Sequence, residues 1–177
     1  MKVMVPFAEG FEEIEALTVV DVLRRAGIKV DMVGVPGTVI TGAHGVKVSM
    51  DKRLGEVNPD EYDGIILPGG NPGYINLGRS ALLIDMIKKL NMRSKLIAAI
   101  CAAPTVLAKI GVLEARKATV YPGMESELPY PRAEKVVVDK NVITSQGPGT
   151  AMEFSLRIVE YLLGKDKALE LRKSLVA

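Results

Sequence analysis

Short β-branched runs alternate with helical stretches along this chain, and the first strand–helix–strand cycle closes within about 35 residues. Residues 3–7 read as a strand. Residues 11–26 read as a helix whose apolar stripe is Ile14, Leu17, Thr18, Val22 and Leu23. Gly27 stops that helix, and residues 29–35 form the next strand. A cycle this short is a right-handed crossover between neighbouring parallel strands, which commits the chain to a sheet covered by helices.

The same alternation continues. Residues 39–40 and 46–48 flank Gly42-Ala43-His44-Gly45 as a small hairpin beside the sheet. Residues 64–67 resume the sheet and stop at Pro68-Gly69-Gly70. A helix over 80–92 opens on Ser80 as its cap and carries Leu82, Leu83, Met86, Ile87 and Leu90. The run 96–100 is a buried strand, followed by a helix that ends near Gly111. Residues 118–120 read as a further strand, and 124–133, with Pro129 and Pro131, as an irregular loop. Residues 135–138 and 142–145 bracket the turn Asp139-Lys140-Asn141, and helices over 151–163 and 166–175 close the chain around Gly164. With no repeat and no low-complexity linker, residues 1–177 are expected to form one α/β domain. Its expected architecture is a three-layer sandwich with a mostly parallel central sheet and its chemistry at the carboxyl ends of the strands.

Composition narrows the function classes. An apolar content of 48% with 25% charged residues suits a folded chain with a sizeable core. The net charge of +2 comes from basic residues spread along the sequence rather than clustered with aromatics, so specific nucleic-acid binding is not expected. Aromatics make up 5% and tryptophan is absent, which disfavours a carbohydrate- or base-stacking platform. The single cysteine rules out an internal disulfide and a cysteine-cluster metal site, and no metal or cofactor is expected. The opening residues 1–7 turn polar too soon for a signal peptide, and no apolar run is long enough to span a bilayer. A reducing cytoplasm is the expected location.

That one cysteine sits where a nucleophile belongs. Cys101 ends the apolar run 96–100 and precedes Ala102-Ala103-Pro104, so it lies at a sharp strand-to-helix bend. Backbone N–H groups there are expected to lower its pKa. Two other strand ends converge on it in a parallel sheet. Gly69-Gly70 offers backbone donors for an oxyanion, although the same glycines also suit a plain tight turn. The run lacks the spacing of a dinucleotide or Walker loop. On the first helix, Glu15 shares a face with Phe11, Thr18 and Val22, and a carboxylate facing inward is costly unless it is protonated or hydrogen-bonded. Facing Cys101, it would share one proton with the thiol. Glu12 and Glu13 fit surface charges near a helix start, and His44, the only histidine, fits a turn. Asp21 and Arg25, four apart, suit a surface ion pair. Residues 145–150 precede a helix and can wall a pocket through their backbone.

The sequence resembles the ThiJ/PfpI superfamily, in the branch of the human parkinsonism-associated deglycase and its bacterial relatives. The resemblance spans nearly the whole chain. It rests on Glu12-Glu13-Ile14-Glu15, Val20-Asp21-Val22-Leu23-Arg24-Arg25-Ala26-Gly27, Leu67-Pro68-Gly69-Gly70-Asn71, Ala99-Ile100-Cys101-Ala102-Ala103-Pro104, and Thr144-Ser145-Gln146-Gly147-Pro148-Gly149-Thr150. It implies a flavodoxin-like, class I glutamine amidotransferase-like sandwich that forms a homodimer with the first helix near the interface. It also implies Cys101 as nucleophile, Glu15 as its protonated partner, and the amides of Gly70 and Ala102 as oxyanion-binding groups. Gly69, Asn71, Tyr121, Gln146 and Pro148 would line the pocket.

The implied activity is glutathione-independent conversion of glyoxal or methylglyoxal, small reactive carbonyl compounds, to a 2-hydroxy acid. Deglycation of proteins, or holding of glycated or unfolded proteins through oxidation of Cys101, are the other activities the resemblance implies. Three departures bear on the chemistry. Tyr121 stands where the human-type protein has a histidine near the pocket, and tyrosine is a weak base near neutrality. Ala102 replaces the histidine that follows the cysteine in the peptidase-like branch, which argues against amide or peptide hydrolysis. Gln146 takes the place of an arginine.

Overall fold

Strand β1 (Lys2–Phe7) lies inside a seven-stranded sheet in the computed structural model, which describes residues 1–177. The later strands are β2 (Lys29–Gly34), β3 (Val39–Thr41), β4 (Lys47–Ser49), β5 (Lys52–Arg53), β6 (Gly64–Leu67), β7 (Leu96–Ile100), β8 (Val136–Asp139) and β9 (Val142–Ser145). The sheet order is β5-β2-β1-β6-β7-β9-β8, and only β8 runs antiparallel, paired with β9 at the outer edge. β3 and β4 form a separate antiparallel hairpin. The chain moves one way from β1 to β2 and then crosses back to β6, so the strand order reverses between β1 and β6. Loops leaving the two strands at such a reversal diverge and open a crevice at their carboxyl ends.

Six helices cover the sheet: α1 (Glu13–Arg25), α2 (Gly73–Arg79), α3 (Ala81–Met92), α4 (Pro104–Lys109), α5 (Ala151–Leu163) and α6 (Lys165–Leu175). Period-two alternation along the strands divides the core between the faces. Val3, Val5 and Phe7 of β1, with Leu96, Ala98 and Ile100 of β7, pack under α1, α5 and α6. Met4, Ile97 and Ala99 pack under α2, α3 and α4 on the opposite face. A sheet buried on both faces accounts for the nearly uninterrupted apolar runs of β6 and β7.

Most expected elements form, and the exceptions have local causes. Residues 118–120 do not become a strand. They lie beside β9, which is already paired on both sides, by β7 and β8. Ala118 makes only an isolated bridge to Pro131, and the Thr119 N–H donates to the Thr144 hydroxyl at 2.9 Å. Helix α2 has no counterpart among the expected elements, and it carries two glycines. Gly73 is required by close packing, because a Cβ there would meet the Gly10 carbonyl oxygen at 2.7 Å, and Gly78 packs closely on Val106, where a Cβ would come within 3.3 Å.

The apolar stripe of α1 is also rotated from its expected position. Glu13, Glu15, Ala16, Val19, Val20, Val22 and Leu23 are buried, whereas Ile14 is 56% exposed. Successive helical residues point roughly 100° apart, so turning Glu13 and Glu15 inward turns Ile14 out. In α3 the cap forms as expected, with Ser80 Oγ accepting the Leu83 N–H at 3.3 Å. Leu83 is fully buried there, while Leu82 is 47% exposed. Leu83→Ala is therefore expected to cost about 2–5 kcal/mol and Leu82→Ala under about 1 kcal/mol. Urea denaturation of the two variants checks this, and equal losses would contradict the orientation of α3.

Candidate active site

Cys101 follows the last residue of β7 and has φ 64, in the left-handed region that side chains with a Cβ rarely adopt. Such a conformation costs about 1–3 kcal/mol and is held only where the surroundings impose it. Here both backbone groups are fixed: the Cys101 N–H donates to the Ser145 carbonyl at 2.9 Å, and its own carbonyl accepts the Tyr121 N–H at 2.8 Å. The turn beyond is tied by the Thr105 hydroxyl, which donates to the Ala102 carbonyl at 2.7 Å. The expected bend is present, the side chain is half-buried, and the amides of Ala102 and Gly70 are directed at the sulfur.

The loop after β6 supplies the facing wall. Gly69 is a necessity of packing: a Cβ there would lie 2.6 Å from the Cys101 Cβ and 2.7 Å from Glu15 Oε2. Gly70 has φ 91, and a Cβ on it would meet the Glu12 amide nitrogen at 2.2 Å. The loops after β1 and β6 are joined directly by the Glu12 N–H, which donates to the Gly69 carbonyl at 3.1 Å. The structure thus brings Glu15, Gly69, Gly70, Cys101 and Ala102 together at the strand-order reversal.

The pocket residues expected around them differ in how they meet it. Tyr121 is bonded to Cys101 through the backbone, and its half-exposed ring lies against Gly147. Gln146 turns its side-chain amide to the Ala133 carbonyl at 3.1 Å. Pro148 opens the 3-10 turn that leads into α5, and Asn71 is exposed beyond Gly70.

Glu15 is fully buried. Its Oε2 accepts the Gly69 N–H at 2.8 Å, and its Oε1 has no hydrogen-bond partner. Burial raises its carboxyl to about 7, with the Glu12 charge adding to the rise and the Gly69 N–H and Cys101 opposing it. Burial likewise raises the Cys101 thiol to about 12. The negative Glu15 carboxylate and its hydrogen bond add to that rise, against the amides of Ala102 and Gly70. The expected fall in the thiol pKa is therefore reversed while Glu15 is ionised, because burial and a facing carboxylate outweigh the two amides. The two groups titrate as one unit. Above about pH 7 the pair carries one proton. When that proton sits on Glu15, the repulsion on the sulfur disappears and the carboxylic acid becomes a donor to the thiolate.

Two expectations about the neighbouring residues need correction. Glu13 is not a surface charge but is buried, and it receives the His44 N–H at 2.7 Å and the Val46 N–H at 3.4 Å. His44 lies in the exposed turn as expected, yet its Nδ1 sits 2.9 Å from Glu13 Oε2. Burial alone would raise the Glu13 carboxyl, but the His44 ring and the surrounding N–H groups bring it below the ordinary value. The same contact raises the His44 pKa, helped by the charge of Glu12. Glu12, Glu13 and His44 bring metal-ligating atoms within 4.8 Å of one another. Both Glu13 oxygens are already bonded to the hairpin, so the group acts as a latch between α1 and the β3–β4 turn. The only sequence signal for it was the histidine itself, 31 residues away from its partner. Asp21 and Arg25 do form the expected exposed pair, at 2.8 Å.

This arrangement, a half-buried cysteine at a strained strand-to-helix bend facing a buried glutamic acid across a glycine loop, defines a class of cysteine-centred α/β proteins. The chain belongs to the DJ-1/PfpI family, whose sequence profile matches residues 1–161. It is 44% identical to Protein dj-1beta of Drosophila melanogaster, over 98% of this chain and 95% of that protein. It is 34% identical to a Pyrococcus abyssi protein named a deglycase, over 92% of this chain and 99% of that one. Among solved structures, oxidized Toxoplasma gondii DJ-1 superposes with a TM-score of 0.96 at 39% identity, covering 99% of this chain and 97% of that one. These neighbours share the mostly parallel, helix-flanked sheet described above. No helix is long and apolar enough to cross a membrane.

The Glu15 carboxyl binds its proton more tightly in the fold than in the unfolded chain. The stability this contributes is fully present below about 4.5 and is lost as pH rises through about 7. The raised carboxyl corresponds to about 3 kcal/mol. Between about pH 4 and pH 8 the wild type should therefore lose about 3 kcal/mol more than Glu15→Gln does, as read by urea denaturation. Parallel pH profiles for the two proteins would mean that Glu15 has an ordinary carboxyl.

Proposed function

We propose that the protein converts glyoxal or methylglyoxal to the corresponding 2-hydroxy acid, using Cys101 and Glu15 and needing no glutathione. The observation that carries this reading is the buried Glu15 carboxyl, raised to about 7 by burial and electrostatically coupled to the only cysteine. A group with that pKa can both give and take a proton at neutral pH.

In the reaction, the Cys101 thiolate adds to the aldehyde carbon of the substrate. The new alkoxide is held by the Gly70 and Ala102 amides and takes the Glu15 proton, giving a hemithioacetal. The Glu15 carboxylate then removes the hydrogen from that carbon to form an enediol. Return of the proton to the neighbouring carbon leaves a 2-hydroxy thioester, which water cleaves to the acid and the free thiol. One oxoaldehyde and one water give one hydroxy acid, with no external oxidant or reductant. Tyr121 meets Cys101 only through its N–H on the Cys101 carbonyl and adds no basic group, so Glu15 alone moves the proton. The deglycase name of the Pyrococcus abyssi relative supports a carbonyl-directed activity of this kind.

A second reading is a redox-responsive sensor or holding chaperone for glycated or unfolded proteins, acting through oxidation of Cys101 by peroxide. Half-exposure of the sulfur and the oxidized form of the Toxoplasma gondii relative favour it. Amide or peptide hydrolysis has little support, because the single histidine is committed to Glu13. The proposal further places two copies of the chain in a homodimer in the cytoplasm. The exposed Ile14 at the start of α1 supports a contact on that helix.

Conversion of methylglyoxal to lactate, followed by NMR without glutathione, tests the enzyme reading. Cys101→Ala should abolish it, and Glu15→Gln should lower kcat/KM by about 10²-fold or more. Wild-type kcat/KM should climb as pH approaches about 7 and then level, as the pair gives up its first proton. Unchanged turnover in the alanine variant would end the proposed mechanism. Negligible turnover by a folded wild type with a peroxide-sensitive thiol would favour the sensor.

A further inference from the structure

A groove of about 780 Å³ opens at the carboxyl ends of β2 and β5, and neither Cys101 nor Glu15 lines it. Its volume lies within the range of sites for small organic molecules. β2 and β5 deliver its inner wall in register, with Gly34 opposite Arg53, and the buried side chains of Val35 and Leu54 make an apolar floor. Arg79, at the end of α2, and the half-exposed Leu82, at the start of α3, also line it.

The charges around this floor are not balanced by one another. Glu9 directs both carboxylate oxygens to the Thr41 N–H, each at 3.2 Å. Glu56 accepts the Arg53 backbone N–H at 3.0 Å. The guanidinium groups of Arg53 and Arg79, by contrast, make no salt bridge and no hydrogen bond, although ion pairs are numerous elsewhere on the surface. Two arginines without an ion-pair partner thus line a groove with an apolar floor, while both local carboxylates are engaged by backbone donors. Guanidinium forks match carboxylate and phosphate oxygens with paired hydrogen bonds.

We propose that this groove binds a small amphiphilic anion: an apolar chain lying on Val35 and Leu54, with a terminal carboxylate or phosphate paired to Arg53 and Arg79. The site is separate from the Cys101 centre. It is joined to that centre by the loop after β1, whose Glu9 carbonyl accepts the Asn76 side-chain amide at 2.9 Å, and by α2, which follows the Gly69-Gly70 loop.

Titration of the full chain with octanoate, octyl phosphate and neutral octanol, read by amide resonances in NMR, tests the proposal. At least one anion should shift Leu54, Gly55 and Asn76 and bind at least about tenfold more tightly than octanol. The tighter of the two identifies the head group. That preference should disappear in the Arg53→Gln/Arg79→Gln variant and persist in Cys101→Ala, which separates this site from the proposed catalysis. The arginines are exposed, so the double variant should keep the wild-type spectrum elsewhere. Octanol binding as tightly as both anions would overturn the proposal. So would an unchanged preference in the double variant, shifts centred on Gly70 and Ala102, or no response at millimolar concentration.

Discussion

One buried hydrogen bond organises the reactive centre: the Gly69 N–H donating to Glu15 at 2.8 Å. It links α1 to the loop after β6, and that loop faces the sulfur at the end of β7. Because Gly69 has no Cβ, the carboxyl and the cysteine side chain both pack into the space a Cβ would take. Any side chain at that position would drive them apart. The hydrogen bond also leaves Oε1 bare, and a neutral carboxyl tolerates a bare buried oxygen better than a carboxylate does. Geometry and protonation are therefore set by the same contact.

The parallel sheet makes the contact reachable. α1 follows β1, Gly69 follows β6, and Cys101 follows β7, so three segments distant in sequence end at one edge. The reversal of strand order between β1 and β6 keeps the edge open at that point. The left-handed φ of Cys101 then lifts its side chain out of the path of the chain. Buried bonds to Ser145 and Tyr121 hold this strained conformation, so the fold as a whole supports a local cost at the site.

Much of this was legible in the sequence. Strand and helix alternation located nearly every element, and Cys101, Glu15, Gly69 and Gly70 stood out because their residue types conflict with a purely structural place. The features that escaped depend on partners far along the chain. Residues 118–120 have strand composition, but they lie against β9, whose two sides are already taken by β7 and β8. The glycines of α2 look like helix breakers until Gly10 and Val106 are seen against them. The sign of the thiol pKa was missed because the sequence shows the helix-start amides but not how deeply the sulfur and its facing carboxylate are buried.

Glu13 and Glu15 show how far environment outweighs residue type. They lie two apart at the start of α1, and both are buried. Glu13 meets the N–H groups of the β3–β4 turn and the His44 ring, which satisfy both oxygens and hold it ionised. Glu15 meets a single N–H and an apolar surround, which leaves it protonated until near neutrality. Deeper burial together with fewer donors separates Glu15 from Glu13. The charged member fixes the hairpin to α1. The neutral one remains free to exchange a proton with Cys101, and a second N–H aimed at Oε1 would have fixed its charge and removed that freedom.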